Sequence, residues 1–224
     1  MIDIYQVYLP DFDSSKVDLP NDIVVQSQKY KLVKKRHEFI VSQWIRRNVL
    51  TGYLGCNGNE IIFSATKKGR PFIVGHQQID FNISHTKDYV VMAVAKNQKV
   101  GVDIQSIKET VDVLAIAKQY FTMSEYLWLI SLTLDKQSYF FASLWALKEA
   151  SLKLTGQGIV YGLDHYSFVY EHDKFKQLEN NMSMTLNYYI QEVDNTNILA
   201  VSAQQKINQL SYFTLDCNGW VKKI

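Results

Sequence analysis

Two cysteines, three prolines and no long apolar run are what first narrow this sequence. Cys56 and Cys217 stand far apart, with no neighbouring thiol and no paired histidines at ligand spacing, which argues against a disulfide scaffold and a zinc site. Such cysteine usage fits a reducing compartment. No stretch reaches the roughly 18 apolar residues that a bilayer span needs. The residues after Met1 begin with Asp3 and lack the basic start and apolar run of a secretory signal. A cytoplasmic protein with no membrane association is therefore expected. Charge of one sign is scarce too: the formal net charge of +2 is too small to imply a nucleic-acid partner, so any anion must be met by a local patch. Short-period repeats and low-complexity tracts are absent.

What remains is an ordinary globular composition, 224 residues with 47% hydrophobic side chains, enough for one large core or two small ones. Residues 2–9 read as a strand, and residues 10–21, holding two of the three prolines, as a turn-rich connection. Over residues 28–50, Val33, Ile40, Val41, Trp44 and Ile45 recur at helical spacing, with Gly52 and Gly55 as stop signals. The other face of this helix carries Lys29, Lys31, Lys34, Lys35, Arg36, Arg46 and Arg47; such a run is either a solvated surface or an anion-binding face. Short strands are predicted over 60–65, 71–74, 79–84, 89–95 and 99–105, in antiparallel arrangement. Helices follow over 112–120, over 123–132 with a Thr122/Glu125 capping box, and over 137–154, ended by Gly156 and Gly158. The remainder reads mostly as strands. Clustered strands without regular strand–helix alternation indicate an α+β fold, with a two-lobed division at 1–98 and 99–224.

Three places could carry chemistry. In the strand Val100-Gly101-Val102-Asp103-Ile104-Gln105, alternation puts Gly101, Asp103 and Gln105 on one face, so Asp103 sits on a rigid element. Gly101 removes a side chain beside it, as an approaching bulky anion would require. In the helix, Trp145, Glu149 and Lys153 follow at four-residue intervals. An exposed Glu–Lys pair is the simple account; a bulky Trp one turn earlier points instead to a partly buried face, where charges need partners. Asp103 and Glu149 together suit a hard cation such as magnesium that leaves positions open for phosphate oxygens. Finally, Ser84 and His85 end a strand with a hydroxyl and an imidazole.

Taken together, Gly69-Arg70-Pro71, Phe81-Asn82-Ile83-Ser84-His85, Gly101-Val102-Asp103-Ile104 and Trp145-Ala146-Leu147-Lys148-Glu149-Ala150-Ser151-Leu152-Lys153 resemble, in order and spacing, the surfactin-synthetase-activating (Sfp-type) 4′-phosphopantetheinyl transferases. The resemblance runs over about residues 29–168. It implies a pseudo-twofold monomer of two similar α+β lobes with coenzyme A and Mg2+ in the cleft between them. It implies transfer of the phosphopantetheine arm from coenzyme A to a serine of an apo acyl or peptidyl carrier protein, releasing 3′,5′-ADP. By the same resemblance, Asp103 and Glu149 are metal ligands, Glu149 is also the general base, and Lys153 stabilises the departing group. His85 and Ser84 contact the nucleotide's 3′-phosphate, Arg70 and Lys148 add charge nearby, and Arg36 is a further coenzyme A contact. Gln105 departs from the pattern: many members carry a second acid there, and a neutral amide oxygen is a weaker magnesium ligand. Other readings remain open, a coenzyme A- or carrier-binding module without catalysis and a nucleic-acid binder using residues 29–47.

Overall fold

A computed structural model describes residues 1–107, 112–158, 162–178 and 186–219 and the backbone of 221–223. Its strands are β1 (Ile2–Tyr8), β2 (Phe63–Ala65), β3 (Pro71–Ile73), β4 (Ile79–His85), β5 (Tyr89–Lys96), β6 (Val100–Ser106), β7 (Phe168–Glu171), β8 (Lys174–Gln177), β9 (Asn187–Asp194), β10 (Asn197–Ala203), β11 (Leu210–Leu215) and β12 (Val221–Lys223). Its helices are α1 (Asn21–Ser27), α2 (Val33–Leu54), α3 (Val113–Tyr120), α4 (Met123–Ser131) and α5 (Leu134–Thr155). This is the α+β class expected.

The first half of the chain supplies most of a five-stranded sheet in the order β12-β11-β1-β5-β4, and β6, β10 and β9 form a second, antiparallel sheet. The C-terminal strands return to the first sheet, where β11 lies parallel to β1 and β12 closes the edge. Strands from both sides of residue 98 thus share the first sheet.

β5 explains why the layers stack. Its continuous run Val90 to Ala95 is buried on both faces: Val90, Met92 and Val94 pack with Val41, Trp44 and Ile45 of α2, while Val91, Ala93 and Ala95 meet Val100, Val102 and Leu199 of the second sheet. On the far side, Ile198 and Ala200 of β10 pack with Leu144, Leu147 and Ala150 of α5. The order helix, sheet, sheet, helix follows, and each outer helix has 22 residues. Both end at a left-handed glycine, Gly55 at φ +68° and Gly156 at φ +69°, where a side chain would be strained.

The two sheets are joined by side chains. On β4, Asp80, Asn82 and Ser84 share one face, and each accepts a backbone N–H from β6: Val100 N to Asp80 Oδ2 at 2.8 Å, Val102 N to Asn82 Oδ1 at 3.0 Å, and Ile104 N to Ser84 Oγ at 3.4 Å. Three polar side chains at period two thus satisfy donors that a paired strand would otherwise satisfy.

Some expectations are corrected. Residues 21–27, between the expected turn-rich connection and the expected long helix, form an additional helix α1, with Asp22 favourably placed in its first turn. The long helix starts at Val33, not near 28, and runs through Gly52, so only Gly55 stops it. β6 pairs with β10, not with its sequence neighbour β5. Gly101 is kept free of a side chain by α5: a Cβ there would collide with Ala150 O and lie 2.6 Å from Leu154 N. The close approach is helix on strand, not ligand on strand.

Candidate active site

α5 crosses β6 at Gly101, and that contact brings the chemistry together. One turn of helix lies between Glu149 and Lys153, and the strand presents Asp103 beside both. Asp103 is 2% exposed. Its Oδ1 takes Lys153 Nζ at 2.6 Å and Ser84 Oγ–H at 2.7 Å, and its Oδ2 takes Gln105 Nε2–H at 2.9 Å. Lys153 Nζ also donates to Ser84 Oγ at 2.9 Å and to Val102 O at 3.2 Å. The helical pair Glu149–Lys153 is therefore not an exposed ion pair, because Lys153 has turned to the strand carboxylate.

Glu149 is left with little. It is 6% exposed, and its Oε1 is buried without a hydrogen-bond partner. Burial first and the Asp103 carboxylate second raise its pKa, Lys153 opposes them, and the balance puts it at about 7. A buried acid beside a second carboxylate, with an unpartnered oxygen, has the character of a hard-cation site and of a base tuned near neutrality. Among the described residues no group of three or more His, Cys, Asp and Glu converges. A two-carboxylate site with its other positions left to water and phosphate is the pattern suited to Mg2+. The residues fit that ion.

Beside Lys153 opens a cavity of about 240 Å3 lined by Gly69, Arg70, Asn82, Ile83 and Gly156. Arg70 borders it, but its guanidinium is engaged: it donates to Asp80 Oδ2 at 2.5 Å, to Val100 O at 3.0 Å and to Lys153 O, tying β3 to β4, β6 and the end of α5. A larger cavity of about 710 Å3 lies at the His85 end of β4 against α2. His85 itself is 44% exposed, and its Nδ1 lies 3.2 Å from Glu38 Oε1. Burial lowers its pKa, an effect that Glu38 opposes.

Two more expected site residues are, like Arg70, engaged elsewhere. Arg36, on the first turn of α2, gives an N–H to Tyr30 O at 3.1 Å. Lys148 is a correction. It is fully buried, paired with Glu125 at 2.7 Å, and donates to Leu163 O at 3.0 Å and to Tyr166 O. One residue's rotation from Glu149 on a helix is enough to point it into the α4–α5 core. Glu125 in turn accepts Phe168 N–H at 2.9 Å and Thr122 N–H at 2.9 Å, so one buried ion pair fixes the α4 start and the strand after α5. Sequence reasoning assigned no tie to Asp80, Asn82 or Glu38 and gave Glu125 only its capping role. Polar residues alternating with Ile79, Phe81 and Ile83 were the available signal for the first two.

Comparison with known proteins now decides the family. The profile of the 4′-phosphopantetheinyl transferase superfamily matches residues 99–202, and that of a 4′-phosphopantetheinyl transferase N-terminal region matches residues 16–97. The chain belongs to the 4′-phosphopantetheinyl transferase superfamily. Both outer helices and both main sheets of this superfamily member contain matched residues. A 4′-phosphopantetheinyl transferase of Bacillus pumilus is 33% identical over 141 residues, 63% of this chain and 59% of the relative. The 4′-phosphopantetheinyl transferase Sfp of Bacillus subtilis (strain 168) is 32% identical over 131 residues, 58% of this chain and 57% of the relative. The match thus spans just under six-tenths of the length of these curated relatives. Among solved structures, holo-[acyl-carrier-protein] synthase of Thermotoga maritima aligns at 19% identity and a TM-score of 0.41, covering 48% of this chain and 63% of that one. No described helix is long and apolar enough to cross a membrane.

Proposed function

We propose that this protein moves the 4′-phosphopantetheine arm of coenzyme A onto a serine of an apo acyl or peptidyl carrier protein, with Mg2+, in the cytoplasm and as a monomer of two lobes. The observation that carries the reading is the meeting of Asp103, Glu149 and Lys153, with a buried, unpartnered Glu149 oxygen and a pKa of about 7. Asp103 and Glu149 would hold the ion, with Gln105 as an adjacent amide, and the ion would supply positive charge against the diphosphate.

The residues then divide the work. Glu149 is poised to take the proton of the carrier serine hydroxyl as its oxygen bonds to the β-phosphorus. The bond from that phosphorus to the oxygen of the nucleotide α-phosphate breaks, and 3′,5′-ADP departs with the bonding electrons. Lys153 supports the charge growing on that oxygen with an ammonium held in place by Asp103 and Ser84. Positioning of a flexible diphosphate supplies much of the remaining rate. The carrier expected is a small helical domain with an acidic surface, suited to a mildly basic chain.

The test is incubation with coenzyme A, Mg2+ and a panel of apo carriers, read by intact mass. The expected result is a phosphopantetheine-sized increase on one serine, lost in Asp103→Ala and reduced at least about 100-fold in Glu149→Gln. Binding of coenzyme A with no mass increase on any carrier would overturn the reading in favour of a binding module.

A further inference from the structure

The cavity at the His85 end of β4 is a poor place for a doubly charged anion. Glu38 faces it from α2 with a side chain only 14% exposed, and its Oε1 sits 3.2 Å from His85 Nδ1. Both Glu38 oxygens also take Lys35 Nζ, at 3.1 and 2.9 Å. Lys87 in the same cavity lies 3.8 Å from Asp88. Two of the three lysines lining this cavity are thus each matched by an acid, leaving Lys34. Burial favours the neutral imidazole, and the imidazole nitrogen already faces a carboxylate. A phosphate monoester brought to His85 has to displace Glu38 or lie beside its charge.

Resting on the transfer reading above, and on the family resemblance by which His85 would contact the 3′-phosphate of coenzyme A, we propose that Glu38 is a specificity residue that sets this subsite against a terminal phosphate monoester. The consequence is a site that takes coenzyme A and coenzyme A lacking its 3′-phosphate almost equally. The adenosine and diphosphate are held elsewhere along the cleft, and the monoester adds little.

The experiment measures, for both compounds, dissociation constants by calorimetry with Mg2+ and kcat/KM for transfer to an apo carrier. The wild-type preference for intact coenzyme A is expected to stay within about fivefold, and Glu38→Gln is expected to raise that preference by at least about fivefold, because a like charge beside the phosphate is removed. Glu38→Asp, which keeps the charge, is expected to stay near wild type. Adding His85→Ala to Glu38→Gln should abolish the gain and so locate it at the imidazole. A larger wild-type preference, or a ratio that Glu38→Gln leaves below that increase, overturns the proposal. Binding without transfer would sink the transfer reading alone, since the ratio of dissociation constants still judges Glu38. Transfer with a ratio indifferent to Glu38 would sink this inference alone, and binding of neither compound would sink both.

Discussion

Glu149→Gln should make the protein more stable, and the gain should depend on pH. The wild-type carboxyl titrates near 7 in the folded chain against an ordinary value of 4.5, chiefly because burial penalises its anion. The folded state therefore binds a proton that the unfolded state has released over that interval, and stability falls as pH rises from 4.5 towards 7. The displacement corresponds to about 3 kcal/mol. Glutamine fills the same space without ionising, so it escapes the loss. Urea unfolding of both proteins in the presence of a chelator, at about pH 5 and about pH 8, isolates the effect, because other titrating groups are common to both. The stability difference is expected to move in favour of the variant by about 2.5 kcal/mol between the two conditions, the rest having been lost below pH 5. Saturating Mg2+ should shrink that movement at the higher pH, because ion binding stabilises the wild-type folded state. A difference that changes by less than about 1 kcal/mol would refute the reasoning, since Glu149 would then be solvated or already compensated.

Other perturbations test the surrounding frame. Lys148→Met leaves the Glu125 carboxylate buried without its cation and is expected to cost about 3 to 5 kcal/mol in urea unfolding, with much of the loss recovered by adding Glu125→Gln. Gly101→Ala forces a Cβ against the α5 backbone, neither partner being a flexible side-chain end, and should destabilise by about 3 kcal/mol or prevent folding. Gln105→Glu replaces the amide that donates to Asp103 with a third carboxylate; without metal it should lower stability, and with Mg2+ it should lower the metal midpoint while leaving the KM for carrier nearly unchanged. An unchanged metal titration would remove Gln105 from the site.

Where one periodicity decided the structure, the sequence was legible. β1, β4, β5 and β6 lie within a residue or two of expectation, and the Thr122/Glu125 capping box forms as its spacing requires. Asp103 and Glu149 are legible as candidates because each follows a local rule, alternation on a strand and four-residue spacing on a helix. Their meeting with Lys153 depends on the α5–β6 crossing, which no local pattern encodes. Lys148 was misplaced for the same reason: neighbouring positions on one helix face opposite surroundings, and only the packing of α4 says which is core. Arg70 shows a related limit: the resemblance expects it to add charge near the nucleotide, and nothing local in the sequence says that Asp80 engages its guanidinium. The strand partner of β6 was likewise invisible, because β10 lies almost a hundred residues away in the chain.

The stitching of β6 to β4 through Asp80, Asn82 and Ser84 has a mechanical result. A backbone ladder slips only as a whole, whereas each of these rungs is a separate residue that substitution can lengthen, shorten or remove. The last rung, Ser84, also touches Asp103 and Lys153. A shift of one sheet past the other is therefore transmitted at once to the carboxylate and the ammonium, which makes the alignment of Asp103 with Lys153 a readout of how the two sheets sit together.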